Sequence, residues 1–258
     1  MDFLENAKAG MKKAMAKRDR LITHVVGAID DNNKAANLLF ERLSEWYALY
    51  FPELRVSEPA KFCQLVVELD RDNPDFGLLI KVVGKEKATF FSEKAKETLG
   101  IEFKPEDLEA VRETAKRIIE LYELRERLEQ YQEMLVKETC PNISYVAEPA
   151  LAAKLVAKAG SVEKLARMPA STVQVLGAEK ALFKHLKKHS KPPKHGLIFQ
   201  HPYISNAPKK QRGKISRALA TKIAIAARAD AYTGNFIAEK LKADFQKRVD
   251  AIRAVKGP

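Results

Sequence analysis

Along residues 20–50 apolar side chains recur at alternating steps of three and four: Ile22, Val25, Ile29, Ala36, Leu39, Leu43, Trp46 and Tyr50. Such spacing keeps one stripe of an α-helix turned toward a partner, here over about four heptads. Asn32 occupies the one polar position in the stripe. It either fixes the register of a coiled coil at some loss of stability, or sits at a partly wet edge. Phe51-Pro52 ends the helix, because proline lacks an N–H and disfavours helix in the residue before it. A second stripe, Leu108, Val111, Ala115, Ile118, Leu121, Leu124, Leu128, Tyr131 and Leu135, predicts a helix over 105–139. Pro105 suits its first turn, and Glu106, Asp107 and Glu109 complement the positive helix start. Consecutive steps of three from Ile118 to Leu124 interrupt the heptad as a stammer does. Two stripes of similar length, far apart in sequence, predict an antiparallel coiled coil within the chain. Ile29, Asn32, Leu39, Leu43, Trp46, Leu121, Leu124 and Leu128 are its expected seam and the expected basis of dimerisation.

Residues 53–103 join the two long helices and belong at the tip of the coiled coil. Ser57-Glu58-Pro59 reads as a capped helix start with Phe62, Leu65, Val66 and Leu69 behind it. A short helix is predicted over Phe76 to Val83, and Ser92 is a candidate cap for another. Residues 2–18 read as an amphipathic helix leading into the first long one. Beyond Pro141 the pattern is helical with turn punctuation. Helices are predicted from Pro149 to Ala159, ending at Gly160, and from Ser161 to Arg167, stopped by Met168-Pro169. A further helix is predicted from Ser171 or Thr172 through Lys188, with Ala178, Ala181 and Leu182 turned inward. Residues 189–208 hold four of the twelve prolines, which rules out continuous helix. Gly196 to Gln200 reads as a short strand or extended segment. Helix resumes near Pro208 and runs to about Tyr232. Gly234 then punctuates, and Asn235 is the expected cap of a final helix to about Ala254. The fold class is all-α. Its three parts are an N-terminal helix (1–18), a coiled-coil domain with its insert (19–140) and a helical C-terminal domain (141–258).

Charge sharpens this division. The chain of 258 residues carries +12 overall, with five basic and two acidic residues over 1–18, eighteen and twenty-five over 19–140, and twenty-three and seven over 141–258. The middle repels a polyanion and the C-terminal part attracts one. From Gly177 to Lys222 there are twelve Lys/Arg and one acid, Glu179. No window is long and apolar enough for a membrane helix, and residues 1–17 lack the apolar core of a signal peptide. The two cysteines, Cys63 and Cys140, read as free thiols of a reducing compartment, consistent with a cytoplasmic protein.

The basic run carries the candidate chemistry. Lys180, Lys184, Lys187 and Lys188 share a broad helix face. The loop adds Lys191, Lys194 and His195. The next helix start adds Lys209, Lys210, Gln211, Arg212, Lys214 and Arg217, and its free N–H groups favour phosphate. Phe199 and Tyr203 are the only stacking surfaces of the proline-rich loop, which makes base stacking secondary to phosphate contact. His185, His189, His195 and His201 crowd together, but no Cys, Asp or Glu lies among them to complete a metal site. Catalytic patterns are missing: Arg212-Gly213-Lys214 lacks the upstream glycine and following hydroxyl of a phosphate loop, and neither a dinucleotide loop nor a nucleophile elbow occurs.

Gly177-Ala178-Glu179-Lys180-Ala181-Leu182-Phe183, Lys191 to Gly196 and Gln211 to Ala220 together resemble the Nop domain. Met168 to Leu176, Ile223 to Asp230 and Glu45 to Leu54 extend the similarity to roughly residues 10–255. That family includes the archaeal Nop scaffold of box C/D small ribonucleoproteins, eukaryotic nucleolar relatives and a spliceosomal relative. The resemblance implies a non-enzymatic scaffold for RNA-guided 2′-O-methylation. It implies as partners a box C/D guide RNA, a kink-turn-binding protein and fibrillarin, with AdoMet held by fibrillarin and no cofactor on this chain. It also implies self-association through the coiled coil. Gly177 to Phe183, with Gly177, Ala178, Glu179 and Lys180 among the site residues, and the loop over 189–196 are then expected to face RNA and the kink-turn protein. Family members usually carry an α/β N-terminal domain that holds fibrillarin. This chain begins near that domain's last helix, as a short form or a truncated one, so residues 1–20 and the adjoining coiled-coil face are left to carry fibrillarin. Two other readings stay open at this point: a spliceosomal-type relative, and a coiled-coil adaptor whose basic end meets acidic proteins or a membrane.

Overall fold

The computed structural model describes residues 18–188 and 190–254, so the helix expected over 2–18 lies, apart from Arg18, outside the described residues. Among the described residues there is no strand, and every regular element is helical. Helix α1 (Asp19–Tyr50) is followed by α2 (Pro59–Glu68), α3 (Phe76–Val83), α4 (Lys85–Lys96) and α5 (Pro105–Thr139). The chain forms two compact units: residues 29–128 make one and the remainder makes the other. The division falls inside both long helices.

In the unit of residues 29–128, Leu43 and Tyr47 of α1 share a core with Val111, Ala115 and Ile118 of α5. Further back along α1, Asn32 meets Leu121. One helix therefore rises as the other descends, and the pair is antiparallel. The Asn32 amide, 8% exposed, donates to the Leu121 carbonyl at 2.8 Å. Asn32 is thus the register-fixing residue, and the wet-edge alternative falls, because a buried amide without a partner costs about 1–3 kcal/mol.

The expected seam needs correction at Leu39, Trp46 and Leu124, which are 38%, 36% and 39% exposed. Phe40 and Tyr47 turn toward the core in place of the first two. A straight helix drifts about 20° per heptad against a 3.5-residue repeat. The insert supplies a partner on the side to which the stripe has turned. Phe62 of α2 stands edge-on to Phe40 at 5.6 Å and to Tyr47 at 5.8 Å. Within the insert, α3 coincides with its predicted span and is capped by the Asp75 carboxylate, which accepts from the N–H groups of Gly77 and Leu78. Ser57 does not cap α2: Glu58 occupies the cap position without a side-chain bond, and Pro59 at the first turn needs no acceptor. Ser92 lies inside α4, which starts two turns earlier, directly after Gly84. The buried Arg71 closes the end of α1. Its guanidinium donates to the carbonyls of Tyr50 and Ile101 and lies 4.1 Å from the centre of the Tyr50 ring.

The other unit continues with α6 (Pro141–Ala147), α7 (Pro149–Ala159), α8 (Val162–Arg167), α9 (Ala170–Val175) and α10 (Glu179–Lys188). A 3₁₀ turn over Leu197–Gln200 stands where a strand or extended segment was expected. Helix α11 (Pro202–Ser205), α12 (Lys209–Arg228) with a π-helical turn at Ala229–Thr233, and α13 (Ala238–Ala254) complete it. Helix α12 is the hub: α6, α8, α9 and α13 all pack on it. Its buried face combines Ile215, Leu219 and Ile223 with Ala220, Ala224 and Ala227, whose small side chains let neighbouring helices approach closely. As expected, Ser161 caps α8, accepting from the Lys164 N–H at 3.0 Å. The helix expected to run unbroken to Lys188 is instead two helices, α9 and α10, split at Gly177. Asn235 does not cap α13, which begins three residues later; its carbonyl accepts from the Asn142 amide at 3.0 Å.

Asp230 organises this last region. One carboxylate oxygen accepts from the backbone and side-chain N–H groups of Asn142, at 3.0 and 2.7 Å, and the other from the Ile143 N–H at 2.9 Å. These backbone groups are orphan donors of the α6 start. The Asn142 side-chain Oδ1 in turn accepts from the Ile237 N–H at 2.7 Å. Burial pushes the Asp230 carboxyl above its ordinary value, against the three hydrogen bonds that favour its charge.

Three variants check these arrangements. Leu43→Asp places an unpaired charge at a fully buried position and is expected to cost about 3–5 kcal/mol, whereas Leu124→Asp stays within about 1 kcal/mol. Urea denaturation of the two variants measures the difference; equal losses would contradict the corrected seam. Asp230→Asn sets an amide N–H against a backbone N–H and is expected to cost about 1–3 kcal/mol in the same experiment.

Candidate nucleic-acid interface

The basic run is held by a sharp turn between α9 and α10. Gly177 has φ +89°, a left-handed conformation that favours glycine. A Cβ there would also lie 2.6 Å from Cγ of Leu197. The Ala178 N–H donates to the Val175 carbonyl across the turn, and the Glu179 carboxylate reaches back to accept from the Gly177 N–H at 2.9 Å. Its other oxygen pairs with Lys158 Nζ of α7 at 3.2 Å. These contacts hold Glu179 below its ordinary pKa, although burial acts the other way.

Helix α10 has no buried residue. Lys180, Lys184, Lys187 and Lys188 are all exposed, and so are Phe183 and Leu186, at 61% and 66%. Ala181, expected to face inward, is exposed; Ala178 and Leu182 are half-buried. The His185 ring meets the Ser190 carbonyl through Nδ1. Among the described residues no group of His, Cys, Asp and Glu could hold a metal ion.

The loop after α10 is laced to the same turn. The Gly196 N–H donates to the Gln174 carbonyl at 2.9 Å, the Leu197 N–H to the Leu176 carbonyl at 2.8 Å, and the Gln174 amide to the Lys194 carbonyl at 2.7 Å. A Cβ on Gly196 would lie 2.0 Å from the Leu176 carbonyl oxygen, so this close approach requires glycine. The His195 ring stacks on Phe199 at 4.6 Å, and the Arg212 guanidinium lies 5.2 Å from the centre of the Phe199 ring. Arg212 also donates to the carbonyls of Ala207 and Ser205, so its charge is turned into the fold rather than left free. Burial, reinforced by the charges of Arg212 and Lys194, lowers the His195 pKa and favours a neutral ring at pH 7.

Between loop, α12 and α13 lies a cleft of about 820 Å³. Lys191, Lys194, Lys210, Lys214 and Arg217 line it together with Arg248, Gln174 and Pro192-Pro193, and no carboxylate does. Five of the residues singled out in the sequence are thus gathered on one concave surface. Gly177, Glu179, Lys180, Lys184, Lys187, Lys188, His195, Lys209, Gln211 and Arg212 do not line it. The Gln211 amide points instead to the Ile252 carbonyl, at 3.5 Å. Arg248 and Lys158 escaped the sequence reading. Arg248 sits in a helix of mixed charge, and only its spacing from Ala251 and Ile252 marks the same face. Lys158 carries no local signal at all. A concave surface lined by six cations and no carboxylate concentrates phosphate.

Gly196→Ala is expected to displace the 191–196 loop at a cost of about 1–3 kcal/mol, since the clash is with backbone rather than a movable side chain. Limited trypsin digestion checks this: cleavage after Lys194, the loop lysine that no proline follows, should accelerate while the helical core stays intact.

A family model described as the Nop snoRNA-binding domain, fibrillarin, matches residues 28–251. An uncharacterized NOP5 family protein of Methanocaldococcus jannaschii is 47% identical over 252 residues, covering 96% of this chain and 61% of that protein. Human nucleolar protein 56 is 33% identical over 254 residues, covering 94% of this chain and 43% of that protein. The chain therefore spans less than two thirds of these relatives. Among solved structures, a fibrillarin/Nop5p complex contains a chain similar to this one, with a TM-score of 0.60 and 27% identity over 96% of this chain and 74% of that one. With a family model covering most of its length and relatives of this similarity, the chain belongs to the Nop family.

Proposed function

We propose that this chain is a non-catalytic scaffold of a box C/D-type ribonucleoprotein that guides 2′-O-methylation of RNA. The observation that carries the reading is the acid-free cationic cleft, set beside an exposed helix in a Nop-family fold. The cleft engages the phosphate backbone of a kink-turn RNA. The exposed Phe183 and Leu186 of α10, interleaved with lysines, suit a joint surface of RNA and the kink-turn protein bound to it. Fibrillarin is the methyltransferase partner, in keeping with the fibrillarin/Nop5p complex among similar structures. AdoMet belongs to fibrillarin, and this chain needs no cofactor of its own. Leu38, Leu39, Trp46 and Leu49 are exposed on one stretch of α1 and support self-association through the long-helix unit. Among the described residues no helix is long and apolar enough to cross a membrane, in line with a cytoplasmic particle.

The test is a mobility-shift titration of the chain with box C/D RNA, with and without a kink-turn protein. A supershift that requires the kink-turn protein is expected. With about six phosphate contacts, the log–log salt slope should be roughly −4 to −5. Replacing Lys191, Lys194 and Lys214 together by Ala should make that slope shallower by roughly 2–3. An unchanged slope would remove the cleft from the interface. Binding to acidic vesicles or acidic proteins with no RNA supershift would favour the adaptor reading instead.

A further inference from the structure

Glu179 is the one carboxylate among the charged residues from Gly177 to Lys222. On a surface built to attract phosphate an acid weakens binding by simple Coulomb repulsion. Its contacts show a different use. One oxygen accepts from Gly177 and the other pairs with Lys158, as described above. Lys158 stands in the last turn of α7, a helix anchored by the buried Leu155, Val156 and Ala159. Helix α10, by contrast, has no fully buried residue and only one half-buried apolar side chain, Leu182, so packing holds its direction weakly. Its attachments are the Gly177 turn at one end and the His185–Ser190 contact toward the other. Among the described residues, the Lys158–Glu179 ion pair joins α10 to α7.

We propose that Lys158 and Glu179 form a latch that sets the direction of α10, making both of them positioning residues for ribonucleoprotein assembly. Lys158 lies outside the basic run and lines no part of the cleft. This inference rests on the scaffold reading for its functional consequence, but not for its structural one. The rival explanation of Lys158 is a direct phosphate contact. The two explanations give opposite signs for Glu179. If Lys158 is a phosphate ligand, removing the Glu179 charge strengthens RNA binding. If the pair is a latch, removing it weakens binding.

The experiment uses the full chain with box C/D RNA and a kink-turn protein, and the variants Glu179→Gln, Lys158→Ala, the double variant and Lys158→Arg. Glutamine keeps an acceptor for Gly177 but loses the ion pair, so Glu179→Gln and Lys158→Ala remove the same interaction. Each should weaken assembly about three-fold, the range open to a half-exposed pair. The double variant should be no weaker than either single one, because neighbours acting through each other are not additive. Lys158→Arg should restore affinity to within about two-fold. Tighter or unchanged binding by Glu179→Gln, or additive losses, would overturn the latch. Hydrogen exchange in the free protein provides a readout that needs no RNA. Both single variants should speed exchange at residues 177–182 about three-fold and leave α12 unchanged. Unaltered exchange there would also sink the latch. Failure of the unaltered chain to join the RNA complex would count against the scaffold reading, with the latch still judged by exchange.

Discussion

One half-buried carboxylate holds the C-terminal unit in register. Asp230 bridges the start of α6, the π-helical turn after α12 and, through Asn142, the approach to α13. A helix start exposes N–H groups that need acceptors, and a buried start without them is costly. Here the acceptor comes from a residue nearly ninety positions away in sequence. Helices α12 and α13, which this network ties together near the end of one and the start of the other, carry Lys210, Lys214, Arg217 and Arg248 of the basic cleft. The polar network is thus a geometric device: hydrophobic packing alone lets helices slide, whereas paired donors and acceptors admit one arrangement.

The cationic surface has two layers of organisation. Net charge draws in a polyanion from a distance and is indifferent to detail. Position is set by the Gly177 turn and the Gly196 contact, where backbone meets backbone more closely than any side chain permits. Arg212 illustrates the difference. By charge it belongs with the phosphate ligands, but its guanidinium bonds to two carbonyls and lies over Phe199, where it supports the His195 ring. Glu179 makes the complementary case, an acid retained among lysines because it braces the turn that presents them.

In the long-helix unit the governing constraint is the match between helix period and partner. A two-helix seam requires a 3.5-residue repeat, and the stripe on α1 holds to it through Ala36 and again at Leu43 and Tyr50, but not at Leu39 and Trp46. There the insert becomes the partner, and burial passes from Leu39 and Trp46 to Phe40 and Tyr47. The displaced apolar side chains remain on the surface, where they support the association assigned to this unit.

The chain alone determined the helical class, the spans of both long helices and their antiparallel pairing, because three-four periodicity and flanking prolines are local properties. It also determined where the positive charge lies and the Nop resemblance. What it could not decide was which face each element would present. Trp46 and Tyr47 are neighbouring aromatic residues, and the ring of Phe62, brought back by the insert, packs against Tyr47. Gly177 inside a helical pattern reads as a tolerated glycine, and its left-handed turn becomes necessary only when Leu197 is packed against it. Arg248 and Lys158 gained their places from helices that meet α12 and α10 in space, through contacts between residues far apart in the chain. Periodicity records the side of a helix that is apolar; tertiary packing decides what stands against it.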